Sequence, residues 1–307
     1  VSDEPRPVLS IEEALERILN AVPVLGTEIV DLLDASGSVL AETIIADRDI
    51  PPAANSAMDG YALRSADLKK RERLRILGEI RAGGVIGLRV EPGAAVRIMT
   101  GAPVPPGADT VVRFEDTNVD GEWLEVTKVP AAGANVRAAG EDVRGGQVVL
   151  QPGAVLRPQE IGMLAAVGRT KVTVVRRPRV AILATGDEIV PPDRTPGPTQ
   201  IRDANSYTIA AQVESYGCSS LLLGVAPDRE NLLRRAIKRA LTRRADFIIT
   251  SGGVSVGQFD LVKQVLQAEG EMHFWSLNMK PGRPLASGVV GEVPLLGLRG
   301  NPFSSMI

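Results

Sequence analysis

Three polar, glycine-bearing motifs carry the side chains best suited to chemistry: Thr185-Gly186-Asp187-Glu188, Ser251-Gly252-Gly253-Val254-Ser255 and Gly300-Asn301-Pro302. Each follows a strand-like apolar run. The two glycines after Ser251 let the backbone approach a ligand closely, and successive N–H groups there can form an anion nest. The same residues equally suit an ordinary strand-to-helix turn. Asp187 and Glu188 are adjacent carboxylates that can hold Mg²⁺ bridged to phosphates, or can cap a helix or turn. Lys280-Pro281-Gly282-Arg283-Pro284 is a stiffened turn with two cations, suited to phosphate or a metal oxyanion. A surface loop with solvated charges is the other reading.

Two further motifs lie earlier in the chain. Asn55-Ser56-Ala57-Met58-Asp59-Gly60-Tyr61 reads either as a structural turn or as a site, because a carboxylate buried beside Met58 and Gly60 needs a partner. Residues 100–107, Thr-Gly-Ala-Pro-Val-Pro-Pro-Gly, form a turn-rich loop. Lys69, Lys70, Arg71, Arg73 and Arg75 make a basic cluster without interleaved aromatics, which reads as a solvated face. His273 is the one histidine, so clusters of histidine ligands are excluded. Cys218 is the one cysteine, so no intramolecular disulfide can form; it reads as a small buried hydrophobe.

The elements that must position these groups follow from periodicity. Ser10 and Glu13 have capping-box spacing, ahead of an apolar helical face of Ile11, Ala14, Leu15, Ile18 and Leu19. From Ile50 to about Val149 the chain reads as short strands punctuated by Gly and Pro, with Asp120-Gly121 marking a hairpin. A helix is expected over Pro158–Val167 and a strand over Lys171–Val175. Beyond Pro178, strands at 180–184, 221–225, 246–250 and 294–298 alternate with helices at 206–215, after Asp228 as a cap, and at 260–268. Such alternation implies a parallel sheet covered on both faces. Ligands of such sheets bind beyond the carboxyl ends of the strands, which is where the three motifs of the first paragraph fall.

Length and composition bound the reading. A chain of 307 residues suggests about two domains. With 35 Lys and Arg against 37 Asp and Glu, the formal charge is −2, so nucleic acid is not the expected main partner. No apolar run nears the ~20 residues of a membrane helix, and residues 1–10 do not read as a signal peptide. A cytoplasmic location is expected.

Taken together, these motifs resemble the molybdopterin molybdenumtransferases, the MoeA and gephyrin E-domain family. The resemblance runs through residues 55–62, Met99-Thr100-Gly101-Ala102-Pro103-Val104-Pro105, Gly140-Glu141-Asp142-Val143, residues 184–188, 250–257, 280–284 and 300–302. It implies an α/β-plus-β multidomain homodimer. The Rossmann-like molybdopterin-binding domain would be 178–307, the inserted β-rich domain 50–146, and a small α+β linking domain 1–49 with 147–177. Family members continue past the equivalent of Ile307 into a C-terminal β-domain, which by this resemblance is expected to be missing from residues 1–307. The implied reaction inserts molybdate into adenylylated molybdopterin and releases AMP, with Mg²⁺ as cofactor. Molybdopterin adenylyltransferase and molybdoenzymes are the implied partners.

By that resemblance Ser251, Gly252, Gly253 and Ser255 hold the pterin or its phosphate, with Thr185 and Gly186 beside them. Asp187, Glu188 and Asp260 handle Mg²⁺ or the attack on the adenylate. Lys280, Pro281 and Arg283 position molybdate, and Asn301 with Pro302 closes the rim. Asp59 and Thr100 serve catalysis from the β-rich insertion of the other subunit. Arg299 stands where the family usually has proline. A non-catalytic molybdopterin binder, or gephyrin-like scaffold, is the alternative function; the presence of Asp59, Glu188 and Asp260 favours the enzyme. Tungstate matches molybdate in charge and shape.

Overall fold

The computed structural model describes residues 8–69, 73–84, 87–252, 268, 270–278 and 284–305. The chain divides into two compact units, residues 1–28 with 174–307, and residues 29–173.

The first unit is built on a seven-stranded sheet. Its strands lie in the order Val8–Leu9, Gly270–Leu277, Pro284–Val290, Val293–Leu298, Phe247–Ser251, Arg179–Thr185 and Ser219–Ala226. Arg179–Thr185 pairs in parallel with both neighbours, and Phe247–Ser251 pairs in parallel with Val293–Leu298. The four strands expected at 180–184, 221–225, 246–250 and 294–298 do pair in parallel, and the sheet is extended by an antiparallel meander through Gly270–Leu277, Pro284–Val290 and Val293–Leu298 that the alternation did not indicate. Its second turn is two residues long, with Gly291 at φ 64°, a conformation that favours glycine and matches strand twist in a tight hairpin.

Successive residues of Arg179–Thr185 bury on opposite faces, as the strand period of two requires. Val180 and Ile182 pack against Ile209 and Ala210 of helix α3 (Asn205–Ser215). Ala181 and Leu183 pack against Leu233, Ala236 and Ile237 of helix α4 (Glu230–Thr242). Both faces are therefore apolar, as expected of a covered sheet. The residue capping α4 is Arg229, with no side-chain cap bond, so Asp228 does not cap as its position suggests. Before these, Ser10 and Glu13 do form the reciprocal capping box of the N-terminal helix Ile11–Ala21, at 3.1 and 2.8 Å. That helix packs through Ala14 and Ile18 against Trp275, Leu277 and Leu285. Ile11, Leu15 and Leu19, four residues apart, stay more than half exposed.

The second unit holds a six-stranded sheet in the order Thr110–Arg113, Gly60–Leu63, Ala94–Ile98, Leu74–Ile80, Trp123–Val126, Thr117–Asp120. One pair, Leu74–Ile80 with Ala94–Ile98, is parallel and the others are antiparallel. Alternation again gives two cores, one with Ala62, Val96 and Val111, the other with Tyr61, Leu63 and Val112. The expected hairpin is present: Asp120 pairs with Trp123, and Gly121 has φ 60°. Strand Thr110–Arg113 ends where Phe114–Asp116 turns into a short 3₁₀ helix.

At the amino end of Arg179–Thr185 an ion pair ties the first unit. Arg176 Nη1 and Nη2 donate to Asp246 Oδ2 and Oδ1 at 2.8 and 2.7 Å, and the Arg179 N–H donates to Oδ2 at 2.8 Å. The Arg176 bonds hold the Asp246 carboxyl below the usual carboxylate range.

Two stability outcomes follow. Leu183 is fully buried, so Leu183→Ala should cost about 2–5 kcal/mol in a urea titration of the first unit. Asp246→Asn should cost about 1–2 kcal/mol at neutral pH, because the guanidinium partner is partly open to water. The stabilisation from a depressed carboxyl is present above its unfolded pKa and is lost as pH falls through the folded value. The deficit of the variant should therefore shrink below about pH 4; a deficit independent of pH would refute the assignment.

Candidate active site

Parallel pairing brings the turns after three strands to one edge of the sheet. Ala184 pairs with Ser251, and Ser251 with Leu298, so the strands end level. The Gly252 N–H donates to the Leu298 carbonyl at 3.0 Å. Gly252 has φ 93°, and a Cβ there would lie 2.7 Å from the Thr185 carbonyl oxygen and 2.9 Å from its hydroxyl. Only glycine permits this approach. Thr185 Oγ1 points at the Ser251 carbonyl at 3.5 Å, a long contact.

Helix α3 contributes the side chain that joins the turns. Asn205 Nδ2 donates to Ser251 Oγ at 2.7 Å and to the Gly300 carbonyl at 2.9 Å. The start of α3 is secured by buried Asp203, whose Oδ1 accepts from the Ser206 N–H at 3.0 Å. A cavity of about 40 Å³ at this rim is lined by Thr185, Glu188, Asp203, Asn205, Ser251 and Pro302, among others. A larger cavity of about 580 Å³ opens at the opposite ends of the strands, beside Arg179, Ser219 and Arg243. Its lining includes none of the described motif residues.

Carboxylates crowd the rim. Gly186 has φ 138°, and the Glu188 carboxylate folds so closely over it that a Cβ would meet its oxygens at 2.6 and 2.7 Å. Asp187 Oδ1 accepts from the Asp228 N–H at 3.2 Å. Burial pushes the Asp228 carboxyl up, and the Asp187 and Glu188 charges add to the effect. Among the described residues no three His, Cys, Asp or Glu side chains group to hold a metal by themselves. Two hard oxygen donors nevertheless fit Mg²⁺, which keeps several waters and is commonly shared with substrate phosphates.

In the second unit the expected pair Asp59 and Thr100 is in contact. The Thr100 N–H and Oγ1–H both donate to Asp59 Oδ1, at 2.7 and 2.8 Å. These two bonds, with a smaller contribution from Arg97, hold the Asp59 carboxyl below its ordinary value. Asp59 is exposed rather than buried, so the partner is not a response to desolvation. The turn itself is organised by Ser56, whose hydroxyl donates to the Met58 carbonyl at 2.6 Å and accepts from the Met58 N–H at 3.3 Å.

Of the expected site residues, Thr185, Gly186, Asp187, Glu188, Ser251, Gly252 and Pro302 gather at the rim, with Asn301 next to Gly300. Gly253, Ser255, Asp260, Lys280, Pro281 and Arg283 lie outside the described residues. The sequence reading missed Asp203, Asn205 and Asp228 as rim groups. A signal existed: Asp228 follows the strand-like run at 221–225, and Asp203 and Asn205 stand just before the helical pattern at 206–215.

Comparisons with known proteins cover nearly the whole chain. Residues 9–168 match the MoeA N-terminal region (domain I and II), and residues 181–307 match a family described as a probable molybdopterin binding domain. The molybdopterin molybdenumtransferase of Haemophilus influenzae is 38% identical over 303 residues, spanning 98% of this chain and 74% of its own. That of Nostoc is 39% identical over 314 residues, with 98% and 72% covered. The crystal structure of a molybdopterin biosynthesis MoeA protein from Pyrococcus horikoshii superposes with a TM-score of 0.82 at 32% identity, covering 97% of this chain and 76% of that one. No helix among the described residues is long and apolar enough to cross a membrane. With both family regions matched in order and relatives so similar across 98% of its length, the chain belongs to the MoeA family of molybdopterin molybdenumtransferases.

Proposed function

We propose that this chain inserts molybdate into adenylylated molybdopterin and releases AMP. The observation that carries the reading is the meeting of the Thr185, Ser251 and Gly300 turns at one rim beside Asp187, Glu188 and Asp228. Ser251 and Gly252 bind the phosphate or pterin of the substrate, Asn301 and Pro302 close the rim, and Thr185 and Gly186 form its floor. Glu188 takes the proton from the water that attacks the adenylate. Asp228, pushed toward its neutral form, is the rim acid best suited to keep a proton. Asp187 would hold Mg²⁺, which when bound neutralises phosphate charge. Asp260 joins that metal set, Gly253 and Ser255 extend the phosphate cradle, and Lys280, Pro281 and Arg283 seat the molybdate dianion.

The working form is a homodimer in which Asp59 and Thr100 act from the β-rich unit of a second copy. The exposed stripe of Ile11, Leu15 and Leu19 supports self-association, since contiguous apolar surface marks contact sites. The protein acts in the cytoplasm, receiving adenylylated molybdopterin from an adenylyltransferase and supplying molybdoenzymes.

The decisive experiment follows AMP release from adenylylated molybdopterin after addition of molybdate and Mg²⁺. Molybdate-dependent release is expected; tight binding without release would favour a carrier or scaffold. Glu188→Ala should slow release by about 100-fold or more with an unchanged thermal midpoint, and retained release would reject the role of Glu188. Thr100→Ala removes one of the two bonds that depress the Asp59 pKa. The Asp59 carboxyl should then titrate at higher pH, moving the acid limb of the activity profile upward. An unmoved limb would show that Asp59 ionisation does not govern the rate.

A further inference from the structure

One described side chain touches two of the three rim turns. Asn205 Nδ2 donates to Ser251 Oγ at 2.7 Å and to the Gly300 carbonyl at 2.9 Å. A carbonyl can only accept, so the amide nitrogen must face Gly300, and the orientation of the Asn205 side chain is set by chemistry. Both amide hydrogens are thereby used. Ser251 Oγ receives one of them, so the hydroxyl acts as acceptor toward Asn205 and keeps its own hydrogen for another group. Ser251 is buried and lines the rim cavity. The turns that Asn205 joins are already close, because a Cβ on Gly300 would lie 3.7 Å from the Gly252 Cα. Asn205 is in turn anchored at the first residue of α3, where Asp203 accepts the Ser206 N–H.

We propose that Asn205 is a positioning residue of the molybdopterin rim. It sets the spacing of the Ser251 and Gly300 turns and presents the Ser251 hydroxyl as a donor to an anionic oxygen of the substrate. The inference rests on the molybdopterin reading given above, and it names a residue whose effect passes through Ser251 rather than through direct reaction.

The test is a double-mutant cycle on the full chain with Asn205→Ala, Ser251→Ala and the double variant. Molybdopterin affinity is read by direct titration, and KM and kcat by AMP release. Each single change should weaken molybdopterin binding and raise KM about tenfold or more, with a smaller change in kcat. In the Asn205→Ala background, Ser251→Ala should add less than about threefold. Losses that simply multiply, or an unchanged KM in Asn205→Ala, would overturn the proposal. Asn205→Asp keeps the volume and guards against loss of fold. At neutral pH its carboxylate opposes the Gly300 carbonyl and should weaken binding as much as alanine does. Relative to wild type, binding should recover in part as pH falls, because the protonated acid can again donate; no recovery would count against the donor role. A wild-type chain that binds molybdopterin but releases no AMP removes the insertion reading alone, and the cycle is then read from the affinities. Absence of binding removes both.

Discussion

The arrangement depends on parallel pairing at the centre of the seven-stranded sheet. Parallel strands end on the same edge, and the registers Ala184 with Ser251 and Ser251 with Leu298 make them end level. Turns separated by dozens of residues in sequence must then occupy the same few ångströms. There is room only if side chains are missing where backbones approach. Gly252 answers that need, since any Cβ would strike the Thr185 carbonyl. The rim is a consequence of sheet geometry before it is a consequence of any ligand.

The same geometry gives two aspartates opposite electrostatics at opposite ends of one sheet. Asp246, at the amino end, faces a two-pronged guanidinium and a backbone N–H, so its charge is stabilised. Asp228, at the carboxyl end, is partly buried near two other carboxylates, so its charge is disfavoured. The first arrangement strengthens the fold. The second costs stability and persists where negative groups gather around a cationic or protonated partner, as functional sites do. A rim of this kind suits a reaction that handles Mg²⁺ and phosphate.

The β-rich unit solves a different positioning problem. Asp59 and Thr100 have short side chains, so they can meet only if their backbones do. Antiparallel pairing of Gly60 with Ile98 brings the two turns side by side. Gly60 also lies so close to Val112 that no Cβ fits. The resulting Asp59 carboxylate is fixed by two donors and remains exposed, a rigid charge offered outward rather than an internal strut.

By itself the sequence determined what local physics can encode. The capping box at Ser10 and Glu13, the Asp120-Gly121 hairpin and the two-faced strand at 179–185 are properties of neighbours in the chain. The motif residues Thr185, Ser251, Asp59 and Thr100 were also legible, because glycine-bearing polar turns after apolar runs carry a recognisable pattern. Tertiary structure decided the rest. Periodicity marked Ile11, Leu15 and Leu19 as inward, but a helix lying on the sheet through Ala14 and Ile18 leaves them exposed. Asp228 looked like a helix cap until its backbone was found bonded to Asp187. Asn205 stands just before the helix expected at 206–215, and only the convergence of residues 46 and 95 positions downstream makes it the link between Ser251 and Gly300. Local sequence selects conformations, whereas long-range pairing selects neighbours, and a side chain acquires its chemical partners from the second.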